Sequence, residues 1–184
     1  MFTGAMNCII EFIYDGTILS LDKIGINVYL DQILVGFVEI FASIFCSYVI
    51  VKMERKKFMR ICLVLIGIFT CLIGISTLMF KHETNQINSH VILEMIFLAG
   101  LRFVINNMWG LFFVYVSELF PSNVLSLAFG WVSAIGTVGA FSSPFIRLLT
   151  ANATMFVMTF LCGVSLFLIQ DLSETKGKKS VQEI

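Results

Sequence analysis

Six long apolar runs, Phe2–Leu19, Val28–Val51, Phe58–Phe80, Val91–Val116, Val124–Ile146 and Thr154–Gln170, leave this chain few ways to fold. A hydrocarbon core of ~30 Å takes about 20 helical residues per crossing. The runs meet that length, although Glu11 and Asp15 weaken the first and the sixth is short. Of 184 residues, 58% are hydrophobic and 13% charged, with a mean hydropathy of +0.95. A soluble domain of this size needs more polar surface, so lipid is part of the solvent. Backbone in lipid must satisfy its own hydrogen bonds, which leaves helices or closed barrels. Continuous rather than alternating apolar runs select helices. The expected fold is an all-α polytopic membrane protein with six transmembrane helices over residues 1–170 and a cytoplasmic tail over 171–184.

Short-loop basic residues set orientation. Lys52, Arg55, Lys56, Lys57 and Arg60 cluster after the second run, and Lys176, Lys178 and Lys179 lie in the tail. Four crossings separate the two groups, so they face one side. The opposite loops hold only Lys23, Lys81 and Arg147. Both termini are thus expected in the cytoplasm. Net charge is zero and basic tracts of the kind that bind nucleic acid are missing. Cys8, Cys46, Cys62, Cys71 and Cys162 all fall in apolar runs without metal-ligand spacing, and read as reduced apolar residues with no metal site. The sequence carries no HExxH, GxSxG or phosphate loop, so neither enzyme chemistry nor a cofactor is expected.

Ionisable residues inside spans are costly and by default face the bundle interior or a water-filled path. Glu11 and Asp15 share a face of the first run, Glu39 is central in the second, and Arg102 is central in the fourth. Glu39 and Arg102 read equally as a structural ion pair or as a polar site in a cavity. Asn106 and Trp109 follow Arg102 by four and seven residues, on one helical face. That stripe reads as a path wall or as a tight helix contact. Gly130, Ser133, Gly136, Gly139 and Ala140 place small residues along the fifth run, for close packing or, alternatively, for sliding.

These residues resemble a known family. The chain is similar to the C-terminal six-helix half of a major facilitator transporter, in the organic ion transporter branch related to sugar porters. Tyr14 and Gly16 resemble its Y-x-G, and Asn27, Tyr29 and Leu30 its N-I-Y-L. Val38, Glu39 and Ala42 match V-E-x-P-A with Phe41 for the proline, and Arg102 matches a basic residue of the tenth helix. Glu118 and Pro121 bound an E-L-Y-P-like motif, Pro144 ends the next helix, and Glu174-Thr175-Lys176-Gly177 resembles the P-E-T-K-G tail. The D-R-x-G-R-R loop is altered: Val51 stands for its Asp, Lys52 for its first Arg, Glu54 for its Gly and Arg55-Lys56 for its last pair. Leu125 replaces an Arg, and Thr137 stands where the branch usually has a charge.

The resemblance implies alternating access for a small organic solute, with a coupling proton or cation as a further partner. It makes Tyr14, Glu39, Arg102, Trp109 and Thr137 cavity-lining positions; helical position adds Asp15 and Asn106. In this scheme Glu39 binds a cation or carries a proton, Arg102 pairs with it or holds a carboxylate, and Trp109 offers an aromatic face. Substrate would lie between two such halves. The missing N-terminal half is expected either upstream in a longer chain or as a partner subunit. The alternative is a membrane interaction protein, derived from a transporter half, that moves nothing.

Overall fold

The computed structural model describes residues 2–21, 28–79, 89–148 and 151–170. They form six α-helices: α1 (Phe2–Leu21), α2 (Val28–Lys52), α3 (Arg55–Met79), α4 (Ser89–Leu119), α5 (Ser122–Ser142) and α6 (Ala151–Gln170). A 3-10 segment, Ser143–Leu148, follows α5. Lys23, Asn27, Lys81 and the whole tail with its Glu174–Gly177 motif lie outside the described residues.

Proline marks two of the changes. At Pro121 the chain is extended, with φ −66° and ψ 153°, which ends α4 and starts α5. A proline has no N–H for an ongoing helix and disfavours helical backbone in the residue before it. Pro144 removes the same donor at the end of α5. There the N–H of Ser143 turns to the carbonyl of Ala140, three residues back, and the helix tightens into the 3-10 form. The fifth run, read as one span to Ile146, is therefore α-helical only to Ser142. The third helix starts at Arg55 rather than Phe58, so its first turn is basic.

α4 is the central helix. It packs on α2 and α3 and touches α1 and α5, while α1 lies mainly against α5 and α3 against α6. Leu101, Met108, Leu111 and Phe112 of α4 are fully buried, together with Met6 of α1 and Met158 of α6. Large apolar side chains such as Phe37, Phe41, Leu127, Phe141, Phe160 and Phe167 project outward. Water would not tolerate so much apolar surface, but a bilayer or a packed apolar partner would.

Among the described residues, five helices are long and apolar enough to cross a membrane, and α1 is not one of them. Asn7, Glu11 and Asp15 lower its hydropathy. Its neighbours explain how it tolerates them: α4, α5 and α6 surround it, so much of its surface meets protein rather than lipid.

The small residues of α5 divide into two sets. A Cβ at Gly139 would run into the backbone carbonyl oxygen of Cys8, and one at Gly136 into the Asn7 amide. These two glycines let α5 press on α1. Gly130 has open space around it, and Ser133 is exposed. The buried face follows Val132, Gly136 and Gly139, steps of four and three that match the helical period.

Candidate functional site

Three helices bring polar residues together near their middles. α1 contributes Glu11, Tyr14 and Asp15, α2 contributes Glu39 and Ser43, and α4 contributes Arg102, Asn106 and Trp109. Arg102 is only 1% exposed, and its Cζ lies 5.2 Å from the centre of the Tyr14 ring. A guanidinium over an aromatic face is attracted by the ring quadrupole, more so when shielded from water. The Tyr14 hydroxyl donates to Glu39 Oε1 at 3.4 Å. Tyr14 thus touches both residues expected to pair, its face on Arg102 and its hydroxyl on Glu39. The Arg102 charge also acts on Asp15.

Asn106 Nδ2 donates to the Glu39 carbonyl and to Ser43 Oγ, both at 3.1 Å, tying α4 to α2 at that depth. Trp109 Nε1 donates to Glu11 Oε1 at 3.1 Å, tying α4 to α1. The Trp109 ring stacks on Tyr14 at 6.4 Å and meets Phe113 edge-on at 4.5 Å. Phe113 in turn stacks on Phe129 of α5 at 5.9 Å. An aromatic row thus runs beside a cluster of three carboxylates and one guanidinium. Such a surface can hold an organic group by its apolar body and sort it by charge.

Of the expected positions, Tyr14, Asp15, Glu39, Arg102, Asn106 and Trp109 come together here. Thr137 does not join them through any described contact. It is exposed on α5, and its hydroxyl donates to its own helix, to Ala134 O at 2.8 Å and Ser133 O at 3.1 Å. Glu11, one of the charges expected to face the interior, joins them through Trp109, whereas Ser43 and Phe113 carry no sequence signal that separates them from ordinary helix residues.

The basic loop and the motif closing α4 form a second cluster at one end of the bundle. Arg55 Nη2 lies 2.7 Å from Glu118 Oε1, and Nε reaches Oε1 at 3.1 Å and Oε2 at 3.2 Å. Arg55 also donates to the carbonyl of Ile50. Lys56 Nζ donates to the carbonyl of Gln170 at 2.8 Å, placing a cation at the negative end of α6. Lys52 binds the Tyr48 hydroxyl, and Lys57 pairs with Glu54 at 2.9 Å on the surface. A basic first turn opposes the dipole of α3, and these partners offset the repulsion. Glu118 is 30% exposed in its side chain, so solvent screens the Arg55 pair. Arg55→Ala and Glu118→Ala should each lower stability by about 0.5–1 kcal/mol. A double-mutant cycle on thermal unfolding in detergent should show non-additivity, and additive losses would mean that the two do not interact.

Residues 1–183 match the family model of the Major Facilitator Superfamily. Among curated relatives, the chain is 30% identical over 181 residues to solute carrier family 22 member 15-like of Xenopus laevis, covering 95% of this chain and 35% of that protein. It is 26% identical over 138 residues to solute carrier family 22 member 6 of Rattus norvegicus, covering 75% of this chain and 23% of the relative. The winter flounder counterpart, from Pseudopleuronectes americanus, is 28% identical over 139 residues, again 75% and 23%. The chain spans about a quarter to a third of the length of these relatives.

Proposed function

Given that this chain belongs to the Major Facilitator Superfamily, we propose that it forms the C-terminal six-helix half of a secondary carrier, moving a small organic solute by alternating access. One observation carries the reading: Arg102, Glu39 and Glu11 converge with Tyr14 and Trp109 at mid-depth in helices that are otherwise apolar. Charges at that depth are expensive unless they face a path or a ligand. The likeness to solute carrier family 22 supports an organic ion as the solute. A partner half, upstream or separate, faces the outward apolar sides of α2 and α5 and completes the cavity. Thr137 lines that cavity from α5. Both termini are cytoplasmic; the meeting of Arg55, Glu118 and Gln170 at one end supports this, since it puts the basic loop and the end of α6 on the same side.

Proteoliposomes carrying the polypeptide encoded by the complete transcript should accumulate at least one class in a panel of labelled organic cations, anions and zwitterions. In whole cells a tag at Ile184 should react only after permeabilisation. Uptake no greater than in empty vesicles for every class, with the chain crosslinked to an intact carrier in cells, would replace this reading with the interaction protein. A tag at Ile184 labelled on intact cells would overturn the orientation.

A further inference from the structure

We infer that Glu11 is the proton-carrying residue of this half, and that Asn7 is the acceptor holding its protonated form. The inference rests on the carrier reading and deepens it by naming the coupling ion as a proton. Asn7 is 1% exposed, and its Nδ2 donates to the carbonyl of Val132 on α5 at 3.1 Å. That carbonyl fixes which end of the amide is which, because the reversed amide would set oxygen against oxygen. Asn7 Oδ1 then has no hydrogen-bond partner among the described residues. A buried acceptor left in that state calls for a donor.

Glu11 stands one turn further along the same face of α1. A Cβ placed at Gly136 would lie 3.0 Å from Asn7 Cγ and 3.3 Å from Glu11 Cγ, so the two side chains converge on one point of α5. On its other side Glu11 accepts from Trp109 Nε1, a group that can only donate. Ionised Glu11 is served by Trp109 and leaves Asn7 Oδ1 unserved. Protonated Glu11 has an O–H to give, and Asn7 Oδ1 is an acceptor within its turn. Protonation thus adds a donor for Asn7 Oδ1 and weakens, without removing, the acceptor that Trp109 uses.

The surrounding charges are few. α1 adds Cys8, Tyr14 and Asp15, α2 adds Glu39, and α4 adds Arg102, whose charge acts on Tyr14 and Asp15 one turn beyond Glu11. α5 has no titratable residue, α6 has Cys162, and the 3-10 segment has Arg147 in its sequence. The step makes and breaks only an O–H bond. The carboxylate takes a proton from water on one side of the membrane and, after rocking, returns it to water on the other.

The test uses purified full chain in nanodiscs with Trp131→Phe, so that Trp109 is the single tryptophan. Its emission should titrate with pH when no solute is present, because protonation takes the charge from Glu11 and weakens it as the indole's acceptor. Glu11→Gln should abolish the titration. Asn7→Ala should move it to lower pH by about tenfold in proton affinity, the worth of one lost hydrogen bond. Sodium at constant pH should change nothing. A titration that survives Glu11→Gln, one unmoved by Asn7→Ala, or a response to sodium instead of protons would each overturn the inference. If the variants do not accumulate, infrared difference spectra of the unsubstituted chain decide. A carboxylic acid band rising with acid, together with an indole N–H change, supports the inference, and absence of either overturns it. All these signals are read without transport. Their failure leaves the carrier reading standing, whereas failed uptake with an intact titration counts against the carrier reading alone.

Discussion

Gly139→Leu should lower the stability of the six-helix bundle far more than a bulky substitution at an exposed position of the same helix. The hydrogen of Gly139 faces the carbonyl oxygen of Cys8, so the first carbon of any side chain would occupy the backbone of α1. Backbone cannot swing aside as a flexible side chain does. The helices must part, and the Asn7–Val132 bond and the stacking of α1 on α5 are lost with them. Overpacking of a close contact costs ~1–3 kcal/mol where neighbours yield, and this one does not, so the upper end or more is expected. Leu127→Ala, on the same helix but 64% exposed, should cost less than about 0.5 kcal/mol. Detergent thermal midpoints and membrane yield compare the two directly. Equal values would mean that α5 does not press on α1 at Gly139.

The second large effect concerns Arg102. Arg102 is 1% exposed and its guanidinium stacks on Tyr14, so loss of its charge removes the cation that acts on Tyr14 and Asp15. Breaking such a buried arrangement from one side typically costs ~3–5 kcal/mol. Arg102→Gln alone and Glu39→Gln alone should both lower the thermal midpoint and abolish uptake. The double variant should recover part of the stability, since a negative charge has gone with the positive one, and it should remain inactive. Tyr14→Phe adds a finer test. It keeps the ring under Arg102 but removes the hydroxyl from Glu39. If Tyr14 carries the coupling, the interaction energy of the cycle should shrink in that background. Strictly additive losses in the Tyr14 protein would show Glu39 to act independently of Arg102, and an active double variant would make the pair purely structural.

The helices were legible because lipid imposes a simple rule: a long apolar run between polar breaks must be a helix. Their ends were less so. Charged Arg55, Lys56 and Lys57 look like a loop, yet they form the first turn of α3, where Arg55 and Lys57 pair with Glu118 and Glu54 and Lys56 donates to the backbone carbonyl of Gln170. Glu39, Arg102, Asn106 and Trp109 announced themselves as polar or amphipathic residues in apolar surroundings. Their actual bonds did not follow from that. Arg55 and Glu118 are 63 residues apart, and only the crossing of α3 beside α4 joins them. Likewise Tyr14 stands between Glu39 and Arg102 because of how α1 lies on α4. Asn7 was invisible as a site residue: one amide near a helix start looks ordinary until Gly136 closes on it.

The apolar length of α4 exceeds the thickness of a bilayer's hydrocarbon core. Its apolar stretch, Glu94–Leu119, has 26 residues, about 39 Å of helix against ~30 Å of hydrocarbon. Tilting is one way to absorb the excess, beside kinking or local thickening of the bilayer, and tilt changes with membrane thickness. Glu118 sits at the end of that stretch and holds Arg55, so a change in the tilt of α4 acts on the clasp between α3 and α4. Thick sterol-rich membranes let α4 stand upright, and thin ones lean it over. The lipid composition of its compartment thereby becomes a setting on the end of the bundle, independent of any solute.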